Sequence, residues 1–167
     1  MNRMWAPWRK AYVTRKKGGK GCVFCLALKS RNDKDNLVVA RSRHSFSILN
    51  LYPYHNGHTL VVPNRHVSDL DQLSAPELGD LMSSLIQTKK RLGEKMKPQG
   101  YNVGINIGKA AGAGIAGHLH IHIIPRWFGD HNFMPVIGQT KIISDSLESL
   151  YHELTSNDPK ISGRKRK

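Results

Sequence analysis

Cysteine, acidic residues and long apolar runs are all scarce in this chain, and each scarcity narrows what it can be. Two cysteines in 167 residues, Cys22 and Cys25, cannot knit a disulfide scaffold. The fold must rest on a buried core, and a chain of this length buries roughly two thirds of its unfolded surface. The C-x-x-C spacing reads as a redox couple or as half of a metal site. No apolar stretch approaches the ~20 residues that cross a bilayer, so no membrane partner is expected. Arg3, Arg9, Lys10, Arg15, Lys16, Lys17 and Lys20 crowd the start of the chain without the apolar block of a secretory signal, and a cytoplasmic location is the expectation.

Against 26 Lys and Arg stand only 12 Asp and Glu, a formal charge of +14. Such an excess attracts polyanions. Much of it lies at the two ends, in residues 3–20 and in Gly163-Arg164-Lys165-Arg166-Lys167, and is not interleaved with aromatics along one face. That pattern describes a solvated basic surface, and a specific nucleic-acid partner is not expected.

What is present has clear periodicity. The first 35 or so residues read as an irregular arm, with an aromatic stretch at 4–13 (MWAPWRKAYV) that packs down onto something and an exposed turn at 16–21. From Asn36 the apolar period becomes two, and residues 37–40, 46–49 and 59–62 predict three strands, the third ending at Pro63. The segment NLYPYHNGH between the last two is rich in turn formers and delivers His58 to the start of a strand. Ser74 and Glu77 form a capping box with Pro76 in the first turn. Leu78, Leu81, Met82, Leu85, Ile86 and Leu92 then recur at helical spacing as one apolar stripe, predicting a long helix on a sheet that ends at Gly93 or Pro98-Gln99-Gly100. Residues 101–107 and 118–124 alternate as fourth and fifth strands, and Leu147, Leu150, Tyr151 and Leu154 mark a shorter helix over 144–154. The expected fold is α+β, with a mostly antiparallel five-stranded sheet, one long helix and one short helix.

The fifth strand reads HLHIHIIPRW. Alternate side chains of a strand share a face, so His118, His120 and His122 form a row about 6.6 Å apart, with Leu119, Ile121 and Ile123 turned to the core. Buried imidazoles each need a partner, and three on one face are not incidental. Such a row suits either a metal or a neutral imidazole acting as nucleophile or base. Few carboxylates lie nearby, and the preceding NIGKAAGAGIAG is made of small residues whose backbone amides can approach an anion closely. The combination points to phosphate chemistry.

His118-Leu119-His120-Ile121-His122-Ile123-Ile124-Pro125-Arg126 resembles the signature of the histidine-triad family of nucleotide-binding hydrolases and transferases. Cys22-Val23-Phe24-Cys25, Asn50-Leu51-Tyr52-Pro53, Gly57-His58-Thr59-Leu60-Val61-Val62-Pro63 and His66 fall in that family's order, so the resemblance covers about residues 20 to 135. Residues 4–13 and 125–141 are similar to its microbial branch of dinucleoside polyphosphate hydrolases and diadenosine tetraphosphate phosphorylases. The resemblance implies that His120 attacks the α-phosphorus and forms a nucleotidyl-histidine resolved by water or phosphate. His122 and His58 would flank it, with His118 completing the set. Asn50 would hold the ribose and Asn106 a phosphate oxygen, their alternatives being a turn cap and a strand-end hydrogen bond. Many relatives carry a polar Gln, Ser or Thr just before the first histidine; Gly114-Ile115-Ala116-Gly117 offers only backbone, so phosphate contact falls to amides or to Lys109.

The resemblance further implies a structural zinc on Cys22, Cys25, His66 and His118, a homodimer joined through the long helix and a sheet edge, a small nucleotide substrate and no organic cofactor. Free thiols packed under the arm are the alternative to zinc, and a thioredoxin-like pair is disfavoured because the cysteines do not sit between a strand and a helix. The expected units are an arm over 1–35 carrying half of the zinc site, a catalytic domain over 36–160 and a basic tail over 161–167. A purine nucleoside phosphoramidase and a non-catalytic nucleotide-binding module are the competing functions.

Overall fold

The period-two segments pair into one sheet. β1 (Val38–Arg41), β2 (Ser45–Leu49), β3 (Thr59–Pro63), β4 (Gly100–Ile105) and β5 (Ile121–Arg126) lie in the order β1-β2-β3-β5-β4, every neighbour antiparallel. The α+β expectation holds. These coordinates come from a computed structural model that describes residues 21–30, 32–130, 143 and 145–156. The aromatic stretch at 4–13 with Trp5 and Trp8, most of the turn at 16–21 and the basic tail at 161–167 lie outside the described residues.

β2 and β3 are buried along their whole length because both faces of the sheet are covered. One face carries Phe24, Ala27, Val38, Phe46, Ile48, Leu60 and Val62. The other carries two clusters, around Leu92 and Ile123 and around Leu81 and Ile121. At ~25 cal/mol per Å² of buried apolar surface, such clusters supply the main driving force for folding.

The first of those faces corrects the reading of the arm. Residues Val23–Ser30 form a helix, α1, followed by the short α2 (Asp33–Asn36). Nothing in VFCLALKS signals a helix start, since no Ser, Thr, Asp or Asn stands ahead of it to cap. Tertiary packing supplies the reason instead: Phe24 and Ala27, three apart, are both 3% exposed against the sheet.

On the other face lies α3 (Ala75–Met96), begun by the Ser74–Glu77 capping box and ended by a left-handed Lys97. The expected stripe is rotated. Leu81, Ser84, Thr88 and Leu92 are the buried residues, whereas Met82 and Ile86 are 41% and 55% exposed. Hydroxyl pairs explain this: Ser45–Ser84 and Ser47–Thr88 are each 2.7 Å apart, and small polar side chains satisfied in pairs let the helix sit close to β2. Asp80 adds a clamp, accepting from Ser42 and Ser45 hydroxyls and from the His44 amide. α4 (Leu147–Thr155) starts three residues later than expected, with the Ser146 side chain as its cap.

β5 also starts later than expected, at Ile121 rather than His118. Its neighbours run out there: the β3 pairing ends at Val61↔Ile121 and the β4 pairing at Ile105↔Ile121. Beyond this point Leu119 donates to the Val67 carbonyl. At the opposite end Pro125 pairs only with Tyr101 of β4, past the last β3 partner at Ile123, where its missing N–H costs no ladder bond. Among the described residues, no helix is long and apolar enough to cross a membrane.

Candidate active site and metal centre

The face alternation predicted for HLHIHI survives although the ladder does not cover all of it. Leu119, Ile121 and Ile123 enter the α3-side core; the three histidines face the α1 side. Phe24 packs edge-on to His118 and tilted against His120, with centroids 5.4 and 5.2 Å apart. His58, His118 and His120 are 1%, 1% and 5% exposed.

Hydrogen bonds fix which ring nitrogen carries each proton, because a carbonyl only accepts and a backbone N–H only donates. His120 Nδ1 lies 2.8 Å from the His118 carbonyl. It must therefore be protonated, which leaves the Nε2 lone pair of a neutral ring free. The Tyr54 backbone N–H donates to His58 Nδ1 at 3.0 Å, so a neutral His58 carries its proton on Nε2. That nitrogen lies 2.8 Å from His122 Nδ1 and donates to it. The His122 proton is thereby forced onto Nε2, an atom that is buried and has no hydrogen-bond partner. A buried N–H without an acceptor costs about 1–3 kcal/mol, recovered when an acceptor arrives. Burial, then the neighbouring His120, pushes the His122 pKa down and keeps the ring neutral.

The remaining histidine of the strip turns elsewhere. His118 Nε2 donates to the Pro63 carbonyl at 2.9 Å, leaving Nδ1 bare. That nitrogen is 3.3 Å from Cys22 Sγ, 3.7 Å from Cys25 Sγ and 3.2 Å from His66 Nδ1; Cys25 Sγ is 3.4 Å from His66 Nδ1. All four atoms lie within 4.8 Å of one another. A tetrahedral zinc with N and S bonds of about 2.0 and 2.3 Å separates its ligands by roughly 3.3–3.8 Å. The donor set fits, and the Pro63 carbonyl is the outer partner that a metal-binding imidazole requires. Cys22 stands immediately ahead of α1 and Cys25 lies inside it, and each thiol lies beside imidazole nitrogens, which makes the pair half of a four-residue donor cluster.

Residues 31–129 match the profile of the HIT domain. The chain belongs to the HIT family. It is 36% identical to the AP-4-A phosphorylase of Mycobacterium tuberculosis over 154 residues, covering 88% of this chain and 79% of that protein. The asymmetrical bis(5'-nucleosyl)-tetraphosphatase of Schizosaccharomyces pombe is 34% identical over 122 residues, 72% of this chain and 65% of that one. Among solved structures, a hypothetical histidine triad nucleotide-binding protein of Sulfolobus tokodaii superposes with a TM-score of 0.64 at 28% identity, over 80% of this chain and 87% of that one.

Within this HIT fold the other expected site residues divide. Asn50 serves the turn and the histidines: its Oδ1 accepts from Tyr52 N–H at 3.0 Å, and its amide nitrogen stands 3.2 Å from His58 Nδ1. Asn106 follows the end of β4, where continuing the register sets it across from His120. Gly114, Ile115, Ala116 and Gly117 form turns ahead of the strip. Ile115 packs on the α1-side core and its carbonyl accepts from His118 N–H, while a side chain on Gly117 would sit 3.6 Å from His66 Nε2. Lys109 opens a 3-10 turn and is exposed. Sequence reasoning missed Tyr54, whose ring stacks on His58 and His122 at 4.9 and 5.9 Å and whose amide sets the His58 proton. The only signal was its place in a turn-rich segment just before a histidine.

Proposed function

We propose that this chain cleaves dinucleoside polyphosphates such as diadenosine tetraphosphate at the α-phosphorus, with His120 as nucleophile. One observation carries the reading: His120 donates from Nδ1 to the His118 carbonyl, so the Nε2 lone pair is held ready without loss of a proton. Attack forms the Nε2–P bond, breaks the bridging P–O bond and releases ATP from diadenosine tetraphosphate. Water then resolves the nucleotidyl-histidine to AMP, or inorganic phosphate resolves it to ADP. His122 Nε2–H is the donor placed for phosphoryl oxygen, held in that state by His58, and a donor already desolvated needs no reorganisation as charge develops. Tyr54 and Phe24 flank the imidazoles. Backbone amides of 114–117 and Asn106 complete the phosphate contacts. The match to an AP-4-A phosphorylase favours phosphate as acceptor.

Zinc on Cys22, Cys25, His66 and His118 belongs to the same reading. Bound there, a zinc ion would tie α1 to the segment after β3 and to the histidine strip, and would leave His118 a structural role. Pairing with a second copy of the chain does too. Met82 and Ile86 on α3 and Val103 on the edge strand β4 are exposed, and the Tyr101 hydroxyl bonds the Lys89 carbonyl, joining that side of α3 to β4.

The test is product analysis with diadenosine tetraphosphate, with and without inorganic phosphate. ADP plus ATP is expected with phosphate, and His120→Asn should abolish turnover while nucleotide affinity stays within a few-fold. Parental turnover by His120→Asn would overturn the assignment.

A further inference from the structure

The segment that fixes the His58 proton is itself anchored from outside the histidine cluster. His55 Nδ1 lies 2.9 Å from the Asn56 backbone N–H. That nitrogen must accept, so the proton of a neutral His55 is on Nε2, which faces Asp130 Oδ1 at 3.3 Å. Asp130 stands just past β5, its side chain 5% exposed. Its other oxygen accepts from Arg126 Nε and from Trp127 N–H, both at 2.8 Å. Arg126 is in turn fixed to Asn102 of β4 at 2.7 Å, and the Trp127 ring lies 5.7 Å from that of His55. A carboxylate this enclosed is tolerated because it is given donors. Two of them belong to the strand end itself; the third comes from a different segment.

His55 sits between the two atoms that hold His58. Its carbonyl accepts from His58 N–H at 3.2 Å, and its neighbour Tyr54 donates to His58 Nδ1. We propose that Asp130 is a positioning residue for the reaction, acting through His55 to hold residues 54–58 so that His58 donates to His122 and His122 keeps its proton on Nε2. The inference rests on the roles given above to His120, His58 and His122. Without the tie the Tyr54 amide drifts from His58 Nδ1, which is left with the longer Asn50 contact at 3.2 Å alone, and the His58 proton spends part of its time on that nitrogen. His122 then spends part of its time protonated on Nδ1, with no donor for phosphate, which slows the chemical step and leaves nucleotide binding intact.

The experiment is a double-mutant cycle of Asp130→Ala and His55→Ala on diadenosine tetraphosphate turnover by the metal-replete protein, with ¹⁵N NMR of the imidazoles. His55→Ala leaves both strand-end donors on Asp130, so it reports even if Asp130→Ala folds poorly. Each single variant should lower kcat roughly ten- to a hundred-fold with KM within about three-fold, and the double variant should lose no more than the worse single one. The His122 nitrogen shifts should move from a pure Nε2–H pattern toward an average of the two tautomers. Multiplicative losses, an unchanged kcat in His55→Ala, or unmoved His122 shifts would each overturn the inference. The same assay on His120→Asn separates the two proposals: a dead His120→Asn beside unaffected Asp130 and His55 variants refutes this tie alone. An active His120→Asn refutes the reaction, and the NMR shifts then still decide the tie.

Discussion

Gly57→Ala places one methyl group where the chain crosses β5 on its way to His58, and its cost can be worked out. Gly57 has φ +78°, and an added Cβ would stand 2.8 Å from both Met96 Sδ and Pro125 Cγ. The left-handed backbone costs an L side chain about 1–2 kcal/mol. Met96 can swing aside, but Pro125 is a rigid ring within the β5 ladder, and overpacking against such an atom costs about 1–3 kcal/mol. The restricted unfolded chain returns about 0.4–1 kcal/mol, leaving a net loss of roughly 1–4.6 kcal/mol. For a chain this size each kcal/mol moves Tm by about 2–4 °C, so thermal denaturation should show a drop of roughly 2–18 °C. Gly79→Ala is the internal control. It lies exposed in α3 with nothing within 4 Å of its added Cβ, and should gain about 0.5–1 kcal/mol from helix propensity. A Gly57→Ala Tm less than about 2 °C below the parent's, or no lower than that of Gly79→Ala, would refute the steric argument.

Metal analysis of the purified protein should give one zinc per chain, and Cys22→Ser or prolonged chelation should lower Tm by roughly 5 °C or more as the tie is lost; a stoichiometry near zero would remove Cys22 and His66 from the site. His122 should be mostly neutral at pH 6.5 in a site-resolved NMR titration, since burial and His120 push its pKa below the ordinary value; a midpoint above about 6.5 would contradict the buried, unpaired nitrogen. For Asp80, burial pushes the carboxyl up, but bonds from Ser42, Ser45 and His44 outweigh it and hold the pKa below normal. A carboxyl lowered by folding stabilises fully above its unfolded value near 3.9 and loses that contribution as pH falls through the folded value. Denaturant titrations of Asp80→Asn should therefore show a smaller fall in stability below about pH 4 than the parent, with the deficit present at neutral pH; parallel curves would exclude the clamp.

Strands β1, β2 and β3, the capping box at Ser74 and the alternation around His120 were legible because each is a local pattern. Sheet residues repeat with period two, and a cap needs only residues three apart. Helix α1 was not legible, because its reason for existing is the contact of Phe24 and Ala27 with strands many residues away. The stripe of α3 was legible as a helix but not in its rotation, since a buried Ser84 or Thr88 looks polar until its hydroxyl partner on β2 is known. Tyr54 carried only its place in a turn-rich segment and Asp130 carried no signal: one acts through a backbone amide and the other through a histidine 75 positions earlier.

By itself the sequence determined the kind of fold and the kind of chemistry, because a row of imidazoles on one strand face beside a glycine-rich turn restricts the choice of residues that can do the work. Tertiary structure alone decided how the histidines divide their labour. His118 turns its ring to the thiols and lends only its carbonyl to His120, while His58 arrives from the turn just ahead of β3 to set the proton of His122. Proton positions on imidazoles depend on which atom faces which donor at about 3 Å, and that distance exists only once the sheet has closed.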